Sequence, residues 1–395
     1  MAVALAYVIG VYFAGLSVSA VSAYLPAQLV LTLVGISLLF GMAQSNGTLD
    51  RLAQFAVVAS RGHPALLPWI FFFLTFGLSA IGPGNIAATA LVAPIGMVVA
   101  VNSGISPLLM AIMICTGANA GAFSPVALTG IINVGLMSQL GINDPAVASR
   151  IFVVVAALQS LSALAAYFIF GGYRARGIPR TSAVVVASPQ TRPFSSQHLI
   201  TLLAILALGV SLLFFKVPTV IGAFTLAALL AFFKVSDMEA GLQNLPWGII
   251  SLVAGISVLV GLLEKTGSLD LATSAIAADA SPSTISAVLA FTTGVVSIYS
   301  SSSAVVMPTF IPLLPGLIQK VGGGNIIELI VAVNVGSHMV DVSPLSILGA
   351  LCLAALPASI SKETLFRRLL LWGVSMSLVG AALAYLFLDL PSWIR

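Results

Sequence analysis

The sequence predicts an all-α polytopic membrane protein: two inverted repeats, each with a re-entrant helical hairpin and a broken transmembrane helix. Three observations carry this. The first is composition: 59% of the 395 residues are hydrophobic and 7% are charged, whereas a soluble domain carries about 25% charge. The mean hydropathy is +1.15. The second is an internal repeat. Gly35-Ile-Ser-Leu-Leu-Phe-Gly41 recurs as Gly255-Ile-Ser-Val-Leu-Val-Gly261, and Gly47-Thr-Leu-Asp50 recurs as Gly267-Ser-Leu-Asp270. Pro26 and Pro246 share the same offset of 220. At an offset of 219, Gly117 matches Gly336, Ser124-Pro125 matches Ser343-Pro344, and Gly130 matches Gly349. The third is a set of four polar interruptions inside apolar runs; the runs beside the last, 326–335 and 345–356, are each too short to cross a bilayer alone.

In the first repeat (1–173), the N-terminus has no basic n-region, so it reads as a membrane helix over 2–15 and not as a signal peptide. A short link ends at Pro26, and a helix follows over 27–44. Segment 48–60, with Asp50, Arg51 and Gln54, reads as an amphipathic interfacial helix. Runs 66–79 and 86–101 flank Ala80-Ile-Gly-Pro-Gly-Asn85, which predicts a hairpin. Runs 107–116 and 126–137 flank a break over 117–125, and a helix over 146–171 closes the repeat.

A basic linker, 174–197, leads to the second repeat, 198–395. Its order is the same: 220–233, 247–263, an interfacial piece over 268–278, a hairpin around 297–303, a break over 336–344 and a helix over 364–388. The run 199–215 has no counterpart, because Ala2 aligns with Gly222; the expectation is that the first repeat lacks its first helix. Of the 15 Lys and Arg, the inverted topology puts ten on the side of the linker and five (Arg150, Lys216, Lys265, Lys320, Arg395) on the other. That asymmetry places the linker in the cytoplasm. The dispersed basic residues do not suggest nucleic acid. Cys115 and Cys352 lie far apart in apolar runs, read as small buried hydrophobes, and indicate no disulfide or metal framework.

Asp341 is the carboxylate that lies in mid-run, within Gly336-Ser-His-Met-Val-Asp-Val-Ser-Pro344. An ionisable residue at membrane depth is a functional-site hypothesis. Half-helices around polar breaks near the midplane are a device of secondary transporters. Their free N–H groups favour anions, and Ile86, Val126, Ala304 and Leu345 each begin such a half-helix. Gly84, Asn85, Ile86, Asn119, Ser124, Ser301, Ser302, Ser303, His338 and Ser343 are the candidate substrate-binding residues. Pro125 and Pro344 are expected to open the next half-helix. The competing reading is that these Ser and Asn residues only cap helix ends. Beside an anionic substrate, Asp341 needs a cation, as a sodium ligand or as carrier of the coupled proton, with His338 and Asn85 as further coupling candidates. The alternative is a closed structural His338–Asp341 pair.

The run Phe40-Gly-Met-Ala-Gln-Ser-Asn-Gly-Thr-Leu-Asp50, the break Asn119-Ala-Gly-Ala-Phe-Ser-Pro125, Val340-Asp-Val-Ser-Pro-Leu-Ser346 and Leu365-Phe-Arg-Arg-Leu-Leu-Leu-Trp-Gly373 resemble MatC-type dicarboxylate (malonate) carriers. More distantly, both repeats look like the ion transporter superfamily that includes the divalent-anion/sodium symporters. The resemblance implies a cation-coupled secondary permease for small dicarboxylates such as malonate, elevator-like and homodimeric, in the inner membrane, with no cofactor and no enzymatic activity. In those symporters a Ser-Asn-Thr motif at each hairpin tip contacts sodium and substrate. Here only Asn85 matches it, and Ser300–Ser303 takes the second place. Sodium near Asn85 and Ser302, or a proton, is the coupling ion implied. A passive anion channel of the same fold, or an intramembrane enzyme using His338 and Asp341, are the alternatives.

Overall fold

A computed structural model describes residues 2–49, 51, 65–172, 195–215, 217–265, 269–357 and 360–389. Among these residues the chain is helical, without strands. The first part runs α1 (Ala2–Val8, continued as a π-helical turn over Ile9–Phe13), α2 (Val18–Ala23), α3 (Ala27–Ser45), α4 (Leu67–Ala80), α5 (Gly84–Asn102), α6 (Pro107–Ala122), α7 (Leu128–Gln139) and α8 (Pro145–Ile169). The second runs α9 (Ser196–Phe214), α10 (Thr219–Phe232), α11 (Met238–Gln243), α12 (Trp247–Lys265), α13 (Leu269–Ala277), α14 (Ile285–Ser297), α15 (Ser302–Val321), α16 (Ile326–Met339), α17 (Ile347–Ala354) and α18 (Lys362–Ala384). Among the described residues five helices, α3, α5, α8, α15 and α18, are long and apolar enough to cross a membrane. The arms α4, α6, α14 and α16 are shorter apolar helices. Residues 52–60 of the expected first interfacial helix, and 173–194, lie outside the described residues.

Both breaks begin later than the glycines suggest. The first was expected from Gly117, but α6 continues to Ala122; the second was expected from Gly336, but α16 continues to Met339. The glycines there serve helix contact. A side chain on Gly117 would strike the Phe72 carbonyl and Thr75 of α4, one on Gly121 the Phe76 carbonyl, and one on Gly336 the Ala290 backbone of α14. Each hairpin arm therefore lies backbone to backbone against the helix that enters the break. α6 from Leu108 and α16 from Glu328 are buried on all sides, which agrees with their largely apolar sequences. They form the centre of the fold.

The two sequence halves cross over each other. α1 packs on α12, while α10 and α11 pack on α3. Gly41 of α3 meets Gly241 and Asn244, and Gly261 of α12 meets Tyr24; Tyr24 and Asn244 are themselves 220 apart. The broken helices cross too. Asn334 of α16 donates from Nδ2 to Asn133 Oδ1 of α7 at 2.8 Å, and Cys115 Sγ of α6 lies 3.7 Å from Cys352 Sγ of α17. These two pairs are related position by position at the offset of 219. All four side chains are buried.

Gly336→Ala is expected to destabilise the protein by ~1–3 kcal/mol through overpacking against α14. Gly209→Ala, at a position with nothing near the new methyl, is expected to be neutral or slightly stabilising. Unfolding of both variants in detergent checks this.

Candidate functional site

Each break is made of two successive turns with the same hydrogen bonds. Ser124 N donates to Gly121 O (3.1 Å), and Ser343 N to Val340 O (2.8 Å). Then Ala127 N donates to Ser124 O (2.9 Å), and Ser346 N to Ser343 O (3.0 Å). Pro125 and Pro344 stand at the second position of these latter turns, where their fixed φ is favourable. They were expected to open the next half-helix. Instead α7 and α17 begin three residues beyond them, capped by Ala127 and Ser346. The irregular backbone is thus hydrogen-bonded within the protein.

The hairpin tips face these breaks. At the first, Gly84 adopts φ +81°, and a side chain there would press on Leu128 of α7. Asn85 Oδ1 accepts from Ile86 N at 3.0 Å. At the second, Ser301 is the N-cap of α15 and accepts from Ala304 N at 3.2 Å.

One network ties all four elements to Asp341. Asn85 Nδ2 donates to Asn119 Oδ1 at 2.7 Å. Asn119 Nδ2 donates to the His338 carbonyl at 2.8 Å and to Asp341 Oδ2 at 3.0 Å. Ser302 Oγ lies 2.5 Å from Asp341 Oδ1, 3.0 Å from the Ser337 carbonyl and 2.6 Å from Ser297 Oγ. Asp341 is thereby held by the first broken helix on one oxygen and the second hairpin on the other. Ser346 Oγ bonds the Asp341 carbonyl and braces the turn. The first half has no matching acid: Ala122 stands in the place of Asp341, and the hydroxyl of Ser79, 218 residues before Ser297, is buried without a partner.

The sequence placed His338 near Asp341 as a proton partner or substrate donor, with a closed structural pair as the alternative. Because α16 ends at Met339, the two side chains part. His338 Nδ1 lies 2.9 Å from the Asn334 carbonyl, which can only accept, so Nδ1 carries the hydrogen. In the neutral ring Nε2 then accepts from Ser303 Oγ at 3.2 Å, and Ser303 in turn takes Thr129 Oγ1 at 2.9 Å. The ring edge meets Phe123 with centroids 4.8 Å apart. His338 thus joins the second hairpin to α7. Asn85 with Asn119, and Ser303 with His338, are again matching contacts, at offsets of 218 and 219.

Asn85, Ile86, Ser300, Ser301, Ser302, Ser303, Asp341, Ile347 and Leu348 line a cavity of about 20 Å³. That admits a water-sized occupant. Asp341 is the sole charged residue of this lining. Asn119 and His338 stand one shell behind it. Gly84, Ser124 and Ser343 shape the tip and the turns without lining the cavity. Sequence reasoning missed Ser300, Ile347 and Leu348 in the wall, and Ser297, Thr129, Asn133, Asn334 and Ser346 in support. Polar residues four apart in apolar helices, Thr129 with Asn133 and Asn334 with His338, are a signal that would have found three of these residues.

Residues 1–122 match the family model of the dicarboxylate carrier protein MatC N-terminus. That stretch is similar to MatC-type dicarboxylate carriers. No curated protein matches the chain. The MatC-type region covers the first hairpin and the whole of α6, and so includes Asn85 and Asn119 of the network. Together with the five long apolar helices among the described residues, it supports an integral membrane protein.

Asn85 and Asn119 satisfy one another inside the protein, so their effects should not add. Asn85→Ala and Asn119→Ala are each expected to cost ~1–3 kcal/mol, with a coupling of ~0.5–3 kcal/mol in the double-mutant cycle. Unfolding in detergent reads both.

Proposed function

We propose that this protein is a cation-coupled secondary active transporter of small dicarboxylates, malonate first, with the substrate bound where the two hairpin tips meet the two breaks. The MatC-type match supports the substrate class. The observation that carries the coupling is the setting of Asp341, held by the neutral donors Ser302 and Asn119 in a cavity with no Lys or Arg in its wall. Two like charges a few ångströms apart in a low-dielectric site repel strongly. A dicarboxylate entering beside Asp341 therefore has to bring positive charge with it.

The position of Ser302 favours a proton as that charge. With Asp341 ionised, the Ser302 hydroxyl donates to Oδ1. With Asp341 protonated, the acid donates to Ser302 Oγ, and the hydroxyl hydrogen turns to the Ser337 carbonyl, already 3.0 Å away. Both protonation states are hydrogen-bonded without movement of a heavy atom. Asn85 and Ser302 remain the positions at which sodium would act.

The cavity is far smaller than a dicarboxylate. We infer that binding opens the tips from the breaks, and that the hairpins and broken helices move as a body against α1–α3 and α10–α12 in an elevator-like cycle. The matched offsets of the contacts support an inverted repeat as the origin of this arrangement. A homodimer, an inner-membrane location and a cytoplasmic 174–197 linker complete the reading. It treats His338 as a positioning residue and leaves it no role as an enzyme's base, because the ring does not line the cavity and its nitrogens are engaged by the Asn334 carbonyl and Ser303.

Radiolabelled malonate uptake into proteoliposomes, under an inward proton gradient and separately under an inward sodium gradient, tests this. The expected result is proton-driven uptake that falls at least ~10-fold in Asp341→Asn. Sodium-driven uptake insensitive to a proton gradient would overturn the role of Ser302, and the absence of carboxylate uptake under either would overturn the transport reading. His338→Gln, which keeps a donor and an acceptor, is expected to retain most uptake, while His338→Ala is expected to raise KM by loosening Ser303; equal loss in both would refute the positioning role.

A further inference from the structure

The chain has two cysteines, 237 residues apart, and the fold brings their sulfurs to 3.7 Å in a fully buried contact. Each sits one helical turn from the site. Cys115 is four residues before Asn119, which bonds Asp341, and Cys352 is four residues after Leu348 in the cavity wall. They join α6, which enters the first break, to α17, which leaves the second. The related position in the other crossing is the Asn133–Asn334 hydrogen bond at 2.8 Å. One crossing is therefore held by an amide pair, and the other by a thiol pair that makes little bond of its own as it stands.

We propose that Cys115 and Cys352 form a reversible disulfide, and that its formation reshapes the cavity above it. The co-reactant is a small neutral peroxide. One sulfur attacks a peroxide oxygen: the S–O bond forms, the O–O bond breaks, and the departing oxygen leaves as water with the thiol's proton. The second sulfur then attacks the sulfenic acid: the S–S bond forms, the S–O bond breaks, and a second water leaves. Two thiols are oxidised, and one peroxide is reduced to two waters. The partner thiol is already in place, so the second step is intramolecular.

A disulfide requires ~2.05 Å between sulfurs, so the pair closes by about 1.7 Å from its 3.7 Å contact. α6 and α17 are packed on several sides, and the closure passes along one turn of each to Asn119 and Leu348. This consequence rests on the transport reading; the bond itself does not.

The full-length protein in proteoliposomes, treated with hydrogen peroxide and quenched with catalase, tests both. After denaturation, a maleimide label counts free thiols. Wild type is expected to fall from two labels to none without a dimeric band and to regain both with dithiothreitol, while in Cys115→Ser or Cys352→Ser the remaining sulfur stops at the sulfenic acid, which dimedone traps in the variants and not in wild type. Malonate uptake is expected to fall about tenfold and return with the reductant, while the double Ser variant takes up malonate before and after peroxide. Two labels persisting at every peroxide dose would overturn the disulfide. Labels lost with uptake unchanged, or equal inhibition of the double variant, would overturn its coupling to the site. If reduced wild type takes up no malonate, the transport reading falls and the label count still decides the bond.

Discussion

A buried carboxylate held by neutral donors is the constraint on which the site depends. Asp341 has no cation within its network: one oxygen takes Asn119 and the other Ser302. A buried ion without a partner charge is costly. The fold answers by bringing donors from separate elements to it, and each donor is held in turn. Asn119 accepts from Asn85, and Ser302 is reached by Ser297. Removing the acid would leave these groups facing one another with little reason for their arrangement.

The same logic explains the backbone around it. Two turns at each break satisfy the chain internally, and proline takes the turn position where its fixed φ helps. Glycines at 117, 121 and 336 let the hairpin arms lie against the entering helices. The breaks are thus rigidly presented while their openings face a small cavity.

Four contacts around the breaks, two within the halves and two between them, come in two related pairs, yet their chemistry differs. Asn85 with Asn119 corresponds to Ser303 with His338, and Asn133 with Asn334 corresponds to Cys352 with Cys115. Geometry is shared between the halves, and chemistry is divided between them. The acid belongs to the second half alone.

Helix positions were readable because long apolar runs and Pro or Gly punctuation are local properties: α3, α5, α8 and α9 lie within a few residues of the expected spans. The candidate site was readable where a polar residue interrupts an apolar run, as at Asn85, Ser302 and Asp341. The break boundaries were not, because glycine at 117 and 336 reads equally as unwinding or as close packing, and only the neighbouring backbone distinguishes them. Nor were the partners. His338 turns to Ser303 and not to Asp341, and two cysteines read as isolated come into contact, because those pairings depend on how helices distant in sequence cross. The amino-acid order by itself determined that the chain is helical, apolar and doubled, since these follow from local composition and spacing. Tertiary structure alone decided which buried polar groups answer one another, since a hydrogen bond depends on ångström placement that no local pattern carries.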